Sequence, residues 1–158
     1  MEQEVKIPDV VMLINGIPVV IGEAKTPIRP AISWMDGAHE VHEIYENSVP
    51  QLFVPNILSF ATEGKELFYG GVRTPLEFWA PWRAEENSKL QNKLGLQEVG
   101  KSLIDLLSPE RLLDILQNFS LFSSNKKKQR IKVICRYQQY EGANKLVSRV
   151  VEGKIKKG

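Results

Sequence analysis

The sequence predicts an α/β fold, and three observations carry that prediction. The first is a pair of apolar runs, Val10 to Ile14 and Ile17 to Ile21, joined by Asn15-Gly16. That dipeptide between two apolar runs is a strong hairpin signal. The second is a set of further β-like runs between 51 and 70. The third is apolar spacing of helical period near 32–47, 109–116 and 136–152.

Each element follows in order. After the hairpin, Thr26 to Pro30 breaks the chain with two prolines. A helix is expected from about Ile32 to Asn47, with Trp34, Ala38, Val41 and Tyr45 on one face, Ser33 as N-cap and Asp36 three residues on. Gln51 to Val54 and Leu58 to Thr62 read as strands. Glu63-Gly64-Lys65 reads as a turn, and Glu66 to Gly70 as a further strand. Phe78, Trp79 and Trp82 are expected to close the core rather than to stack on bases. Helical character begins near Lys89. Pro109 opens a helix capped by Ser108. A basic segment follows, Lys126 to Arg136, expected to be mobile or to lie over the surface as a bridge. Arg136 to Glu152 reads as a last amphipathic helix ending at Gly153.

The chain has 158 residues, enough for a real core. Its net charge of +2 hides an asymmetry. Residues 1–100 hold 8 Lys/Arg against 14 Asp/Glu, and residues 101–158 hold 13 against 5. Such a split fits two regions, with nucleic acid or an acidic partner near the second, and it fits equally well a basic linker plus a solvated helix face. One cysteine, Cys135, excludes an intrachain disulfide and reads as a small buried hydrophobe. There is no signal peptide and no long apolar span, so a cytoplasmic location and no membrane partner are expected. His39 and His42 lack third and fourth ligands at zinc spacing and read as solvated.

The chemistry concentrates at the open end of the first hairpin. Asp9 precedes its first strand, and Glu23 and Lys25 end its second. Two carboxylates can hold a hard cation through oxygen. A bound metal activates water and offsets phosphate charge, while a nearby lysine positions or deprotonates that water or counters developing charge. Parity is the obstacle. A plain two-residue turn sets Asp9 opposite Gly22, so Glu23 points to the other face. A type I turn with a bulge at Gly16 restores a shared face.

The segment Ile7-Pro8-Asp9, with its apolar run, Asn15-Gly16-Ile17-Pro18, a second apolar run and Glu23-Ala24-Lys25-Thr26-Pro27, resembles the nuclease signature of the R subunit of type I restriction enzymes. Collinear matches follow at Pro50 to Asn56, Ala61 to Gly64, Leu112 to Phe119, and Arg136 to Tyr140 with Asn144-Lys145. They span nearly the whole chain. The resemblance implies a PD-(D/E)xK nuclease fold, a mixed sheet flanked by helices, over residues 1–87. Residues 88–158 would form a helical extension and basic linker toward an absent ATP motor. It implies Mg²⁺ (or Mn²⁺) held by Asp9 and Glu23, with Lys25 as the catalytic lysine. It further implies action on double-stranded DNA beside modification and specificity subunits in a prokaryotic cytoplasm.

The family places Arg before Pro-Asp, where Ile7 stands here. It often carries Gln-x-x-x-Tyr on the following helix. Tyr45 matches the tyrosine, but Val41 stands four residues back, beside Glu40 and His42. The glutamine's role is therefore absent or shifted to Glu40, and Glu40 and Tyr45 are candidate auxiliary or DNA-binding residues. Gln138 or Gln139 matches a segment that contacts adenine in the full-length protein. No Gly-x-x-x-x-Gly-Lys-Ser/Thr loop occurs, so ATP turnover is expected only of the full-length subunit. The expected function is a Mg²⁺-dependent DNA endonuclease domain without sequence specificity of its own. The alternative is a non-catalytic DNA-binding or coupling module of nuclease-like fold.

Overall fold

A computed structural model of the chain describes residues 7–26, 28, 31–83 and 98–153. Five strands form one mixed sheet in the order β1 (Val10–Ile14), β2 (Ile17–Ala24), β3 (Leu58–Thr62), β4 (Leu67–Gly70) and β5 (Ala80–Pro81). Only β2 and β3 run parallel. The crossover between them carries α1 (Trp34–His39), a π-helical turn (Glu40–Tyr45) and α2 (Glu46–Ser48). The C-terminal elements are α3 (Glu98–Leu106), α4 (Pro109–Asn118), the hairpin β6 (Ser120–Ser124) and β7 (Arg130–Ile134), and α5 (Tyr137–Val151).

Side chains alternate across a strand, so each sheet face has its own core. Ile21 and Ala61 pack with Ala38, Val41 and Tyr45 from the crossover. Val20, Leu58, Phe60 and Tyr69 pack with Trp82 and with Leu106, Leu112, Ile115 and Tyr140 from the C-terminal helices. The sheet is therefore covered on both faces. Trp34 stacks on Phe68 at 3.8 Å between ring centres. Trp82 donates from Nε1 to Asp105 at 2.7 Å, and Arg111 lies over its ring while pairing with Asp105 and Glu141. Those contacts fasten the C-terminal helices to the sheet.

Local chemistry explains the element ends. The Ser33 N–H donates to Asp36 Oδ2 at 2.7 Å, and Ser33 Oγ accepts from the Met35 N–H, closing the expected capping box. Gly153, at φ +63°, ends α5 in the left-handed region as expected.

Five expectations are corrected. Gln51 to Val54 is not a strand: Pro50–Phe53 is a 3₁₀ turn. Proline at its first position removes a donor that a ladder would need and favours a helical start. Ser108 precedes α4, but its hydroxyl donates back to the Asp105 carbonyl instead of capping the new helix. Phe78 is exposed, whereas Trp79 and Trp82 are buried. Cys135 is only partly buried, and burial pushes its thiol up to about 12. The basic segment forms the turn and second strand of a hairpin docked on the domain instead of an irregular linker. Lys132 donates its N–H to Val72 O at 2.9 Å, and its ammonium donates to the Asn56 carbonyl. The helical start expected near Lys89 lies outside the described residues; helix is present from Glu98.

Candidate functional site

The first hairpin solves its parity problem away from the turn. Asn15 and Gly16 both have positive φ, +50° and +78°, which is a type I′ turn. Ile14 pairs with Ile17 and Leu13 with Pro18, but Met12 pairs with Val20. Val19 is the extra residue of a bulge. The shared face therefore comes from a bulge at Val19, not from the expected one at Gly16. Past the bulge Val10 pairs with Gly22, which brings Asp9 across from Glu23.

The contacts are direct. The Asp9 N–H donates to Glu23 Oε1 at 3.2 Å, and the Ala24 N–H donates to Asp9 Oδ2 at 2.9 Å. Tyr45 Oη donates to Glu23 Oε1 at 2.9 Å. Lys25 Nζ lies 3.2 Å from Glu23 Oε2 and 2.6 Å from Glu40 Oε2. Five residues predicted from the sequence, Asp9, Glu23, Lys25, Glu40 and Tyr45, thus form one connected network.

The π-helical turn makes that network possible. In an α-helix, residues four apart lie one turn apart; in a π-helix the bond runs from i to i+5. The Glu46 N–H bonds Val41 O in that pattern. Glu40 and Tyr45, five apart, consequently reach the same side of the crossover. Single π turns are uncommon and concentrate at functional sites.

The electrostatics follow from burial. Glu23 is 2% exposed. Burial pushes its pKa up, and the nearby Asp9 carboxyl adds to this. Donation from Tyr45, Lys25 and the Asp9 N–H opposes the rise without cancelling it. Burial works to lower the Lys25 pKa, but its bonds to Glu40 and Glu23 outweigh that and hold the ammonium above the ordinary lysine value. Burial, then the bond to Glu23, pushes the Tyr45 hydroxyl well above its usual range, so it remains a donor.

One supporting residue escaped the sequence. A Cβ on Gly37 would sit 3.0 Å from the Glu23 Cβ, so a glycine lets α1 approach β2 at the site. Its only signal is a small residue on the inner face of the helix.

The remaining candidates lie elsewhere. Gln138 is exposed on α5. Gln139 Oε1 accepts the Arg136 N–H at 2.8 Å and so caps that helix; the residue also borders a cavity of about 370 Å³ with Tyr69, Cys135 and Arg136. His42 lies between Glu43 and Glu46, and its contact with Glu46 raises its pKa against the effect of burial. No helix among the described residues is long and apolar enough to cross a membrane.

Residues 2–78 match the family model described as the type I restriction enzyme R protein N terminus. The type I restriction enzyme HindI endonuclease subunit of Haemophilus influenzae is 29% identical over 154 residues, covering 97% of this chain and 14% of the relative. The putative type I restriction enzyme MjaVIIIP endonuclease subunit of Methanocaldococcus jannaschii is 31% identical over 144 residues, covering 91% and 13%. The chain therefore spans about one seventh of the length of these relatives. With an α/β nuclease-like sheet and a match that begins before Asp9 and runs past Tyr45, the chain belongs to the family of type I restriction enzyme R protein N termini.

Proposed function

We propose that this chain is the Mg²⁺-dependent DNA endonuclease domain of a type I restriction enzyme R subunit. It would hydrolyse phosphodiester bonds without sequence specificity of its own. The observation that carries this reading is the pairing of Asp9 with Glu23 across a bulged hairpin, with Lys25 beside them.

The residues fit a divalent cation by their chemistry. Among the described residues, no cluster of three or more His, Cys, Asp or Glu is placed to hold a metal. Asp9 and Glu23 therefore supply two carboxylates, and the remaining ligands would be water, backbone oxygen and substrate phosphate. That sparse set suits Mg²⁺, which keeps several waters, better than Ca²⁺ or Zn²⁺. A cation there also offsets the cost of burying the Glu23 charge. When bound, the ion supplies a water of lowered pKa and neutralises phosphate charge. Mn²⁺ would serve in its place.

The protein's own groups divide the rest. Asp9 and Glu23 are fixed by backbone and Tyr45 donors, so the cation would meet a preorganised pair. Lys25, held protonated at neutral pH, suits countering charge on the phosphate better than deprotonating water. Glu40 orients Lys25, and through the π turn it takes the place of the family's glutamine. The full-length protein would use ATP, with Gln138 or Gln139 near adenine. It would act on double-stranded DNA with modification and specificity subunits in the prokaryotic cytoplasm.

Calorimetric titration of Mg²⁺ or Mn²⁺, paired with DNA cleavage by the complete enzyme, tests the reading. Saturable binding and cleavage should both be lost in Asp9→Ala. Metal binding without any cleavage by the wild type would support a coupling module instead. Cleavage that survives Asp9→Ala, Glu23→Ala or Lys25→Ala would remove that residue from the site.

A further inference from the structure

The β6–β7 hairpin contributes nothing to the carboxylate network, yet it is strongly cationic. Residues 119–136 hold six Lys/Arg and no Asp or Glu. The register sets Phe122 across from Lys132 and Ser124 across from Arg130, so these four share one face. The Arg130 guanidinium and the Lys132 ammonium lie 4.8 and 5.6 Å from the Phe122 ring centre. The ring gathers both cations without neutralising either. No ion pair among the described residues involves a cation of this hairpin.

The hairpin is anchored to Asn56, Val72 and Thr74 and faces the helical segment of the candidate active site across a cavity. A cavity of about 350 Å³ is lined by Phe122, Arg130 and Lys132 on the hairpin and by Arg73 and Glu46 opposite. Glu46 directly follows Tyr45. Its carboxylate is already engaged by the Arg73 N–H at 2.9 and 3.1 Å and lies 3.7 Å from His42. The cleft therefore keeps an excess of positive charge.

The tip is built to present lysines. Asn125 Oδ1 accepts from the Lys127 N–H at 3.0 Å and from the Gln129 N–H at 2.9 Å, and the Lys128 N–H donates to Asn125 O. Lys128 has φ +61°, a position that glycine fills most easily. A cation thus occupies a place where turn geometry favours another residue.

We propose that this hairpin is a phosphate-backbone contact for double-stranded DNA, with Lys126, Lys127, Lys128 and Arg130 meeting successive phosphates. The identity of the nucleic acid rests on the nuclease reading; the surface itself does not. A run of one sign on a two-stranded ribbon matches the regular negative charge of a duplex. The charged groups are Lys and Arg on short turns and strands, which suit phosphate positioning without sequence readout.

The test uses the full-length protein and a fluorescent duplex of arbitrary sequence, in EDTA so that the duplex stays intact. Lys126→Gln, Lys127→Gln, Lys128→Gln and Arg130→Gln are combined in one variant. These side chains are exposed, so the melting temperature should stay near wild type. The slope of log K against log salt should flatten by about 3 to 4, near 0.9 per lost contact. An unchanged slope overturns the proposal, as does a variant that binds DNA normally but no longer assembles with partner subunits. Cleavage by the wild type and by Asp9→Ala is measured in parallel with Mg²⁺ in place of EDTA. A flattened slope with no cleavage by the wild type would sink the nuclease reading and keep the hairpin contact; an unchanged slope with wild-type cleavage that Asp9→Ala abolishes does the reverse.

Discussion

Replacing Glu23 by Gln should stabilise the metal-free protein and remove its response to Mg²⁺. Glu23 is 2% exposed and accepts from Tyr45 Oη, the Asp9 N–H and Lys25 Nζ at 2.9, 3.2 and 3.2 Å. Burial still holds its pKa above 4.5. A folded-state pKa above the unfolded one means that the native state binds more protons between the two values. The stability contributed by this group is then complete below the unfolded value and is lost as pH rises through the folded one. Glutamine keeps the shape of the protonated acid and does not titrate. Without metal, the wild type should therefore lose stability relative to Glu23→Gln as pH rises above the ordinary glutamate value of about 4.3. Mg²⁺ should reverse that order. A ligand at a hundred times its Kd that binds only the folded state contributes about 2.7 kcal/mol. At about 2–4 °C per kcal/mol for a chain of this size, the wild type should gain about 5–11 °C. The variant should gain little. Thermal melts across that pH range, in EDTA and in Mg²⁺, read both effects. Equal Mg²⁺ shifts in the two proteins, or a wild type that gains on the variant as pH rises in EDTA, would refute the reasoning.

Three further outcomes are expected. Tyr45→Phe removes a donor to a buried carboxylate, worth about 1.5–3 kcal/mol; the Glu23 pKa rises further, and a cleavage profile should move to higher pH, with an unmoved profile counting against the contact. In Glu40→Gln the lost ion pair is partly exposed, with side chains 36% and 20% exposed, so stability should change by less than about 1 kcal/mol. Cleavage should nevertheless fall on the order of tenfold, about 1.4 kcal/mol of transition-state stabilisation, if Glu40 orients Lys25; full activity would remove that role. Gly71→Ala drives a Cβ into the Lys132 carbonyl oxygen, a backbone atom that cannot swing away as a side chain would. It should cost about 1–3 kcal/mol and speed amide exchange along Arg130 to Ile134, whereas unchanged exchange would mean that the hairpin docks another way.

Much of the local structure was legible in the sequence because its causes are short-range. Asn15-Gly16 specifies a two-residue turn through its positive φ values, Ser33 and Asp36 cap α1 within four residues, and Gly153 ends α5. Motif order also identified Asp9, Glu23, Lys25, Glu40 and Tyr45, all of which meet in space. Tertiary structure decided the rest. The choice of Val19 for the bulge depends on how β2 pairs with β1 and β3 at once. Glu40 reaches Lys25 only because the crossover takes a π turn as it packs on the sheet, and spacing written for α-helical residues four apart hides that option. Gln51 to Val54 has strand-like composition, yet the prolines around it leave a 3₁₀ turn. Lys126 to Arg136 reads as solvated charge until Lys132 is seen buried against Val72 and Asn56, some 60 and 76 residues away. Turns and caps are fixed by neighbours along the chain; bulges, π turns and docked hairpins are fixed by residues that only folding brings near.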